Sequence, residues 1–285
     1  MKQLRSWLAY SFYVAVLGAL FVYILFPAEA VSRYIVARVT AVDPEVRLAI
    51  GDVSPILPPG LKLKQVTVAH IDGDLLEVPE IRLYPRWFSL LGRQPSLAYT
   101  AVAGRGHVRG AATAAESSTG RQVRWDAELQ GVRVEELGLP QPLAAYGLKG
   151  VVSGKIRYFR GKNRTAEIRM TVTDMTLAPP KPVLGIRQLQ FENVRTEATL
   201  ENRKLKLSRV TLTGQQINGE LAGNVVLDRP LTDSTVSLGG MLQLNLRAQG
   251  SQTAPRPGDP DDISLTGKVP VRIQGTLGNP TVSLR

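Results

Sequence analysis

Most of this 285-residue chain alternates between apolar and polar residues with a period of two. In residues 123–130 and 166–173 every second residue is apolar, while the residues between them are charged or polar. Successive side chains of a β-strand point to opposite faces of a sheet, so this pattern predicts strands with one apolar and one wet face. Shorter runs at 204–208 and 269–274 repeat the pattern. The chain is therefore predicted to be mainly β, with antiparallel strands.

A run of twenty residues, 7–26, carries no charged side chain. As a helix, it would be about 30 Å long, which matches the hydrocarbon thickness of a bilayer. Lys2 and Arg5 precede the run, and the aromatic residues Trp7 and Phe26 lie at its ends, where interfacial anchors are found. We interpret residues 7–26 as a transmembrane signal anchor.

Two alternatives to a retained anchor stay open. Residues 28–30 have the small-x-small form of a signal-peptidase site, although the run is longer than the roughly 7–15 residues of a signal h-region. A buried helix of a soluble protein is the other alternative, but the rest of the sequence predicts few helices to surround it. Arg33, Arg38 and Arg47 follow the run, so basic flanks alone do not settle its orientation. The export-signal form favours residues 1–6 in the cytoplasm and residues 31–285 outside it, and the absence of cysteine favours a bacterial periplasm over a secreted eukaryotic module.

The composition fits an exported domain that depends on its own core. The chain contains no cysteine, so disulfides cannot stabilise it. Its net charge of +11 suits a surface that faces anionic lipid headgroups or acidic partners, and it equally suits simple solubility. No nucleic-acid-binding motif or basic–aromatic platform accompanies this charge, so nucleic acid is not a predicted partner.

The region after the anchor begins with helical spacing and then turns to strands. Residues 31–42 are predicted to form a short amphipathic helix, and residues 87–91 a helical turn. Flexible loops are predicted at 111–120, which is rich in small residues, and at 248–262, which is rich in proline, glycine and aspartate. Turns are predicted at 72–74, 160–163, 201–203 and 239–240, and a stiff loop around the prolines of 179–182.

A weak Gly-x-x-x-Gly frame recurs at 106–110, 150–154 and 219–223. In a membrane helix this frame favours dimerisation, but all three copies lie in strand-like sequence. Glycines inside strands mark bulges or bends at which a sheet curls. A long sheet with one apolar face must cover that face, and it can close, stack on a second sheet or fold over as a groove. The expected fold is a curled antiparallel sheet that forms a folded-over groove or a sandwich.

The sequence predicts no catalytic, cofactor-binding or metal-binding residue. Its two histidines, His70 and His107, lie in strand-like surroundings without neighbouring ligands, and no nucleophile motif accompanies them. Three aspartates at 259, 261 and 262 lack the ligand spacing of a calcium loop. A basic cluster at 157, 160, 162 and 164 is interpreted as a soluble hairpin tip, with a lipid phosphate or an acidic neighbour as the alternative ligand.

Four segments together carry a resemblance to a known family. They are the end of the anchor at 26–30, the segment Leu-Tyr-Pro-Arg-Trp-Phe-Ser-Leu-Leu-Gly at 83–92, and the segment Val-Pro-Val-Arg-Ile-Gln-Gly-Thr-Leu-Gly-Asn-Pro at 269–280, with the glycine-bounded strand at 104–110. With these segments the chain resembles the protein N component of bacterial type II secretion systems (GspN), which is allied to the AsmA and TamB envelope proteins.

The resemblance implies a non-enzymatic, single-pass inner-membrane protein with a periplasmic β-domain. Its implied role is structural or assembly-related in protein export, with other type II secretion components and the inner membrane as partners. AsmA/TamB-like proteins offer the alternative function, in which an open apolar sheet face shields phospholipid. Neither function implies a cofactor.

Overall fold

A computed structural model gives the architecture of the chain. It describes residues 7, 10, 12–14, 17, 18, 20, 21, 23–42, 46–56, 60–70, 75–86, 89, 94–117, 120–137, 139, 143–161, 163–179, 187–246 and 265–284. These residues include one complete helix, α1 (Ala28–Val42), three short 3₁₀ helices at Val134–Glu136, Leu143–Tyr146 and Leu231–Asp233, and fourteen strands. The strands are β1 (Val46–Ile56), β2 (Gly60–His70), β3 (Leu75–Pro85), β4 (Ser96–Ala103), β5 (Gly106–Ser117), β6 (Gly120–Arg133), β7 (Lys149–Arg160), β8 (Arg164–Leu177), β9 (Leu189–Glu201), β10 (Lys204–Thr213), β11 (Ile217–Val226), β12 (Thr235–Leu246), β13 (Leu265–Thr276) and β14 (Asn279–Leu284).

The described strands form one antiparallel sheet in which each strand pairs with the next along the chain. β1 pairs only with β2 and β14 only with β13, so the sheet has two edges in the described part of the chain and does not close into a ring. The predictions of a mainly β chain and of antiparallel strands are confirmed.

The pairing register aligns the apolar residues of neighbouring strands. One continuous row runs from β2 to β14 and holds thirteen apolar residues or glycines: Leu61, Leu83, Tyr99, Gly110, Ala127, Ile156, Ile168, Ala198, Leu207, Gly223, Leu238, Ile273 and Val282. The adjacent row lies on the opposite face and is polar: Ser54, Lys62, Arg82, Thr100, Arg109, Glu128, Lys155, Arg169 and Glu197. We call the two sides of the sheet the apolar face and the polar face.

Two clusters of buried side chains occupy the ends of the apolar face. At the C-terminal end, residues of β9, β11, β12 and β13 bury one another, among them Phe191, Leu221 and Val271 at 4–8% exposure. Beyond neighbouring strands, the main contacts between described elements join α1 to β1 and β7 to the 3₁₀ helix at Val134–Glu136. Because no second layer of described elements covers this cluster, we infer that the sheet itself curls around it and that the apolar face is the concave one.

Helix α1 covers the other cluster. Ala28, Val31 and Ile35 repeat at helical spacing and pack against Val53 and Leu63 of the first two strands. The periodicity of residues 31–42 therefore predicted a real helix, which begins three residues earlier than expected.

A hydrogen bond between residues six strands apart shows how strongly the sheet curls. Tyr146 precedes β7 and Leu277 follows β13, six strands further along the sheet. Six strand spacings on a flat sheet would separate them by about 29 Å. Instead, the hydroxyl of Tyr146 donates a hydrogen bond of 2.7 Å to the carbonyl of Leu277. The sheet therefore twists and folds over between these strands.

Glycines on the apolar face allow neighbouring strands to approach each other closely where the sheet curls. A Cβ atom at Gly110, Gly154 or Gly240 would lie 1.9–2.3 Å from a carbonyl oxygen of the neighbouring strand. A Cβ atom at Gly219 or Gly223 would also lie too close to a carbonyl oxygen of β12. The φ values of these two glycines are +156° and +154°. The interpretation of the strand glycines as curling points agrees with these positions.

Two local predictions were wrong. Residues 111–117 continue β5 and residue 120 begins β6, because the alanines between Gly110 and Glu116 pair in register with β6. Gly239 and Gly240 lie in the middle of β12 and pair with Ala222 and Leu221, so they form no turn. In both cases, cross-strand pairing outweighs the low β-propensity of small residues.

Other predictions are confirmed or fall outside the description. The predicted turns at 160–163 and 201–203 fall between β7 and β8 and between β9 and β10, and the strand runs predicted at 204–208 and 269–274 lie in β10 and β13. The turn at 72–74, the loop at 248–262, the residues of 87–91 other than Ser89 and the prolines at 180 and 182 lie outside the described residues.

The predicted anchor is described only in part, since residues 8, 9, 11, 15, 16, 19 and 22 lie outside the described residues. Among the residues that are described, no helix combines the length and the apolar character that a bilayer crossing requires. The anchor stays a prediction.

A three-membered charge cluster on the polar face gives a pH-dependent prediction. Glu80 of β3 lies 2.8 Å from the Lys62 ammonium and accepts a 2.6 Å hydrogen bond from Arg82. Hydrogen bonding from Lys62, and next from Arg82, lowers the pKa of the Glu80 carboxyl. A lowered folded-state pKa stabilises the fold above the unfolded-state pKa of about 4.3, and this stability is lost as the pH falls through the folded-state value.

We therefore expect Glu80→Gln to melt at a lower temperature than the wild type at pH 7, with the difference closing below about pH 4. Thermal melts followed by circular dichroism between pH 3 and 7 measure it. Glu77→Gln changes an exposed carboxylate on the same strand and is the matched control. A constant difference between Glu80→Gln and wild type across this range would contradict the assignment.

Candidate functional site: the middle of the apolar face

The section of the apolar face between the two buried clusters is the candidate site. We define this middle section as the apolar face of β4–β7 with the adjoining residues Ile168 and Met170 of β8. Neither cluster includes a residue of β4–β7 among its described members. The large side chains Tyr99, Trp125 and Ile156 of the middle section are only half-buried, while its buried residues include Ala103, Ala127 and Val132. It is therefore the part of the concave face with apolar side chains left accessible.

An aromatic pair lies in the middle section. The rings of Tyr99 on β4 and Trp125 on β6 are stacked, with centroids 5.9 Å apart and planes 11° apart. Gly110 of β5 lies between the two strands, and a Cβ there would come within 2.6 Å of the Tyr99 ring. The missing side chain of Gly110 therefore makes room for Tyr99 to cross β5 and reach β6.

The tyrosine hydroxyl completes this arrangement. It donates a 3.0 Å hydrogen bond to the backbone carbonyl of Asp126. Burial, followed by the negative charge of Asp126, raises the pKa of Tyr99, so the hydroxyl stays protonated as a donor. Its polar end is thereby satisfied within the sheet, and the ring presents an apolar surface to the concave side.

The middle section continues into two aliphatic strands. Ile156 on β7 and Ile168 on β8 are directly paired, and both are half-buried. Together with Trp125, Tyr158 and Met170, they form a mainly apolar surface on this face of the sheet. Such a surface suits hydrocarbon, and each Å² of apolar area removed from water contributes on the order of 25 cal/mol.

The polar face over the same strands is a ladder of opposite charges. Arg157 lies 4.0 Å from Asp126 and 3.9 Å from Glu167, and Lys155 lies 3.6 Å from Glu128. These groups are about half exposed or more, and ion pairs of this kind typically contribute about 0–1 kcal/mol each. The polar face thus gives solubility and strand register, while the apolar face stays available for binding.

The residues considered for chemistry lie far apart in this fold or remain outside its description. His107 is an exposed residue of β5, and the side chain of His70 is not described. Arg157, Arg160 and Arg164 lie at the β7–β8 hairpin as predicted, whereas residues 162, 259, 261 and 262 are outside the described residues. Within the described part of the chain, no group of three or more histidine, cysteine, aspartate or glutamate residues could hold a metal ion.

Sequence reasoning identified the apolar alternation but missed the aromatic pair. Tyr99 and Trp125 are separated by a whole strand, and only the register shows that a glycine lies between them. Comparison of the chain with family models, curated proteins and solved structures gives no match.

Proposed function

We propose that this protein is a non-enzymatic, inner-membrane-anchored periplasmic component of a bacterial type II secretion system, with a structural or assembly role. The observation that carries the proposal is the N-terminal segment. Its eleven described large apolar side chains from Trp7 to Leu25 are 38–77% exposed, so they do not pack on the sheet. A segment of this kind is stable in lipid, and Phe26 and α1 connect it directly to the first strands.

The assignment to a type II secretion system rests on the resemblance at 26–30, 83–92, 104–110 and 269–280. A single sheet of fourteen described strands with a charged outer face is suited to the role of an extended scaffold, because long strand edges and faces offer large contact areas to other components. The sheet would lie on the periplasmic side, with residues 1–6 in the cytoplasm.

Deletion of the gene tests this role. We expect secretion of folded substrates to fall and the assembly of the apparatus to be impaired, with recovery when the full chain is supplied. Membrane fractions should retain the protein after carbonate extraction, because the anchor holds it. Unchanged secretion, assembly and co-purification of partners after deletion would contradict the role, and release by carbonate would contradict the anchor.

A second candidate function is the binding of phospholipid in the manner of AsmA/TamB-like proteins. It is favoured by the half-buried apolar side chains of the middle section on a concave face. Mass spectrometry of the full chain purified in mild detergent is expected to detect phospholipid in roughly stoichiometric amounts. A protein that carries no lipid and takes up none from vesicles would exclude this function and leave the scaffold role intact.

A further inference from the structure

At the C-terminal edge of the sheet, part of β13 has no second neighbouring strand among the described residues. All twelve residues of β13 pair with β12, from Leu265 opposite Leu246 to Thr276 opposite Thr235. β14 pairs only with residues 271–276. Among the described residues, 265–270 therefore have a neighbour on one side only. We call this half of β13 the open edge.

The open edge has the length and backbone chemistry to receive another strand. Six residues extend over about 20 Å, and in an antiparallel pair alternate residues point their N–H and C=O groups toward the same neighbour. A proline inside a sheet takes a place where its missing N–H faces away from a paired strand. Pro270 is paired with Met241 of β12, so we expect residues 266 and 268 to direct an N–H and a C=O group, and Pro270 its C=O group alone, to the open side.

The side chains of the open edge define what fits there. Val269 lies on the apolar face and packs against the C-terminal cluster. Lys268 lies on the polar face opposite Gln243, is exposed, and forms no ion pair with another described residue. Arg272 adds a second exposed cation on the same face. An incoming strand should therefore place aliphatic side chains beside Val269 and carboxylates beside Lys268.

We propose that residues 265–270 of β13 bind, by strand addition, an extended segment of a partner protein in which aliphatic and acidic residues alternate. Main-chain hydrogen bonds supply the affinity of such additions, and the alternating side chains supply the specificity. The aliphatic side chains of the added strand would extend the apolar face. Its carboxylates would lie on the polar face and neutralise part of the +11 net charge.

The opposite edge, β1, is the less suitable of the two. α1 packs against it, and its Asp52 already lies 3.5 Å from Lys64. Its exposed cation Arg47 makes it the right place for a control substitution. The proposal goes beyond the scaffold role and is tested by binding alone, without secretion or lipid as a readout.

The test uses the full-length protein in detergent and fluorescein-labelled eight-residue peptides, measured by fluorescence anisotropy. One peptide alternates valine with glutamate and the other alternates valine with lysine. We expect the glutamate peptide to bind the wild type about fivefold or more tightly than the lysine peptide, since cross-strand charge pairs change from attraction to repulsion. Lys268→Glu should abolish or reverse this preference, and Arg47→Glu should leave it unchanged.

A second variant separates backbone pairing from charge. Lys268→Pro removes one N–H that faces the open side and should weaken both peptides, while its melting temperature stays near that of the wild type. Three outcomes would overturn the proposal. They are equal binding of the two peptides, an equal effect of Arg47→Glu and Lys268→Glu, and no binding of either peptide at 1 mM.

Discussion

Gly240→Ala is expected to lower the free energy of unfolding by about 3 kcal/mol. A Cβ at this position would lie 1.9 Å from the Glu220 carbonyl oxygen and 2.9 Å from the Leu221 Cα atom. Both obstacles are backbone atoms of β11, so no flexible side chain can move aside. β11 and β12 would have to separate, and the curl that buries the C-terminal cluster would open locally.

The neighbouring residue provides a matched control. Gly239 is on the polar face of the same strand, and a Cβ there would meet only the Val271 carbonyl oxygen, at 3.9 Å. Gly239→Ala is therefore expected to change stability by less than about 0.5 kcal/mol. Urea unfolding of both variants, followed by tryptophan fluorescence, measures the difference. Equal stabilities of the two variants would show that the strands do not approach closely on the apolar side.

The second large effect concerns the apolar face as a lipid-binding surface. Ile168→Glu places a carboxylate in the middle section, where bound hydrocarbon would remove it from water. Burial of a charge without a partner costs several kcal/mol, so we expect co-purified phospholipid to fall at least tenfold. The fold should persist, because Ile168 is only half-buried and belongs to neither buried cluster.

Arg169→Glu is the control for this prediction. Arg169 is the next residue of β8 and lies exposed on the polar face. It receives the same new side chain on the side of the sheet that would not touch hydrocarbon, so its lipid content should match the wild type. Phosphorus analysis and mass spectrometry of the purified proteins compare the three. A parallel loss in both variants would indicate an effect of charge or folding rather than of the apolar face.

Sequence predicted local structure well where hydrophobic alternation was strong. The runs at 123–130 and 166–173 became β6 and β8, and the helical spacing after residue 30 became α1. It failed where small residues hide the alternation. Residues 111–117 look like a loop because alanine and threonine carry little hydrophobic contrast, yet their partners on β6 hold them in the sheet.

The amino-acid sequence alone determined that the chain forms strands with one apolar and one charged face, because side-chain alternation is a property of each strand by itself. Only the tertiary structure decided that fourteen described strands join in order into one open sheet that curls. It also decided that Tyr99 reaches over Gly110 and that, within the described part of the chain, the first half of β13 has a paired strand on one side only. Those features depend on register and twist, which arise from contacts between residues far apart in the chain, and no single segment encodes them.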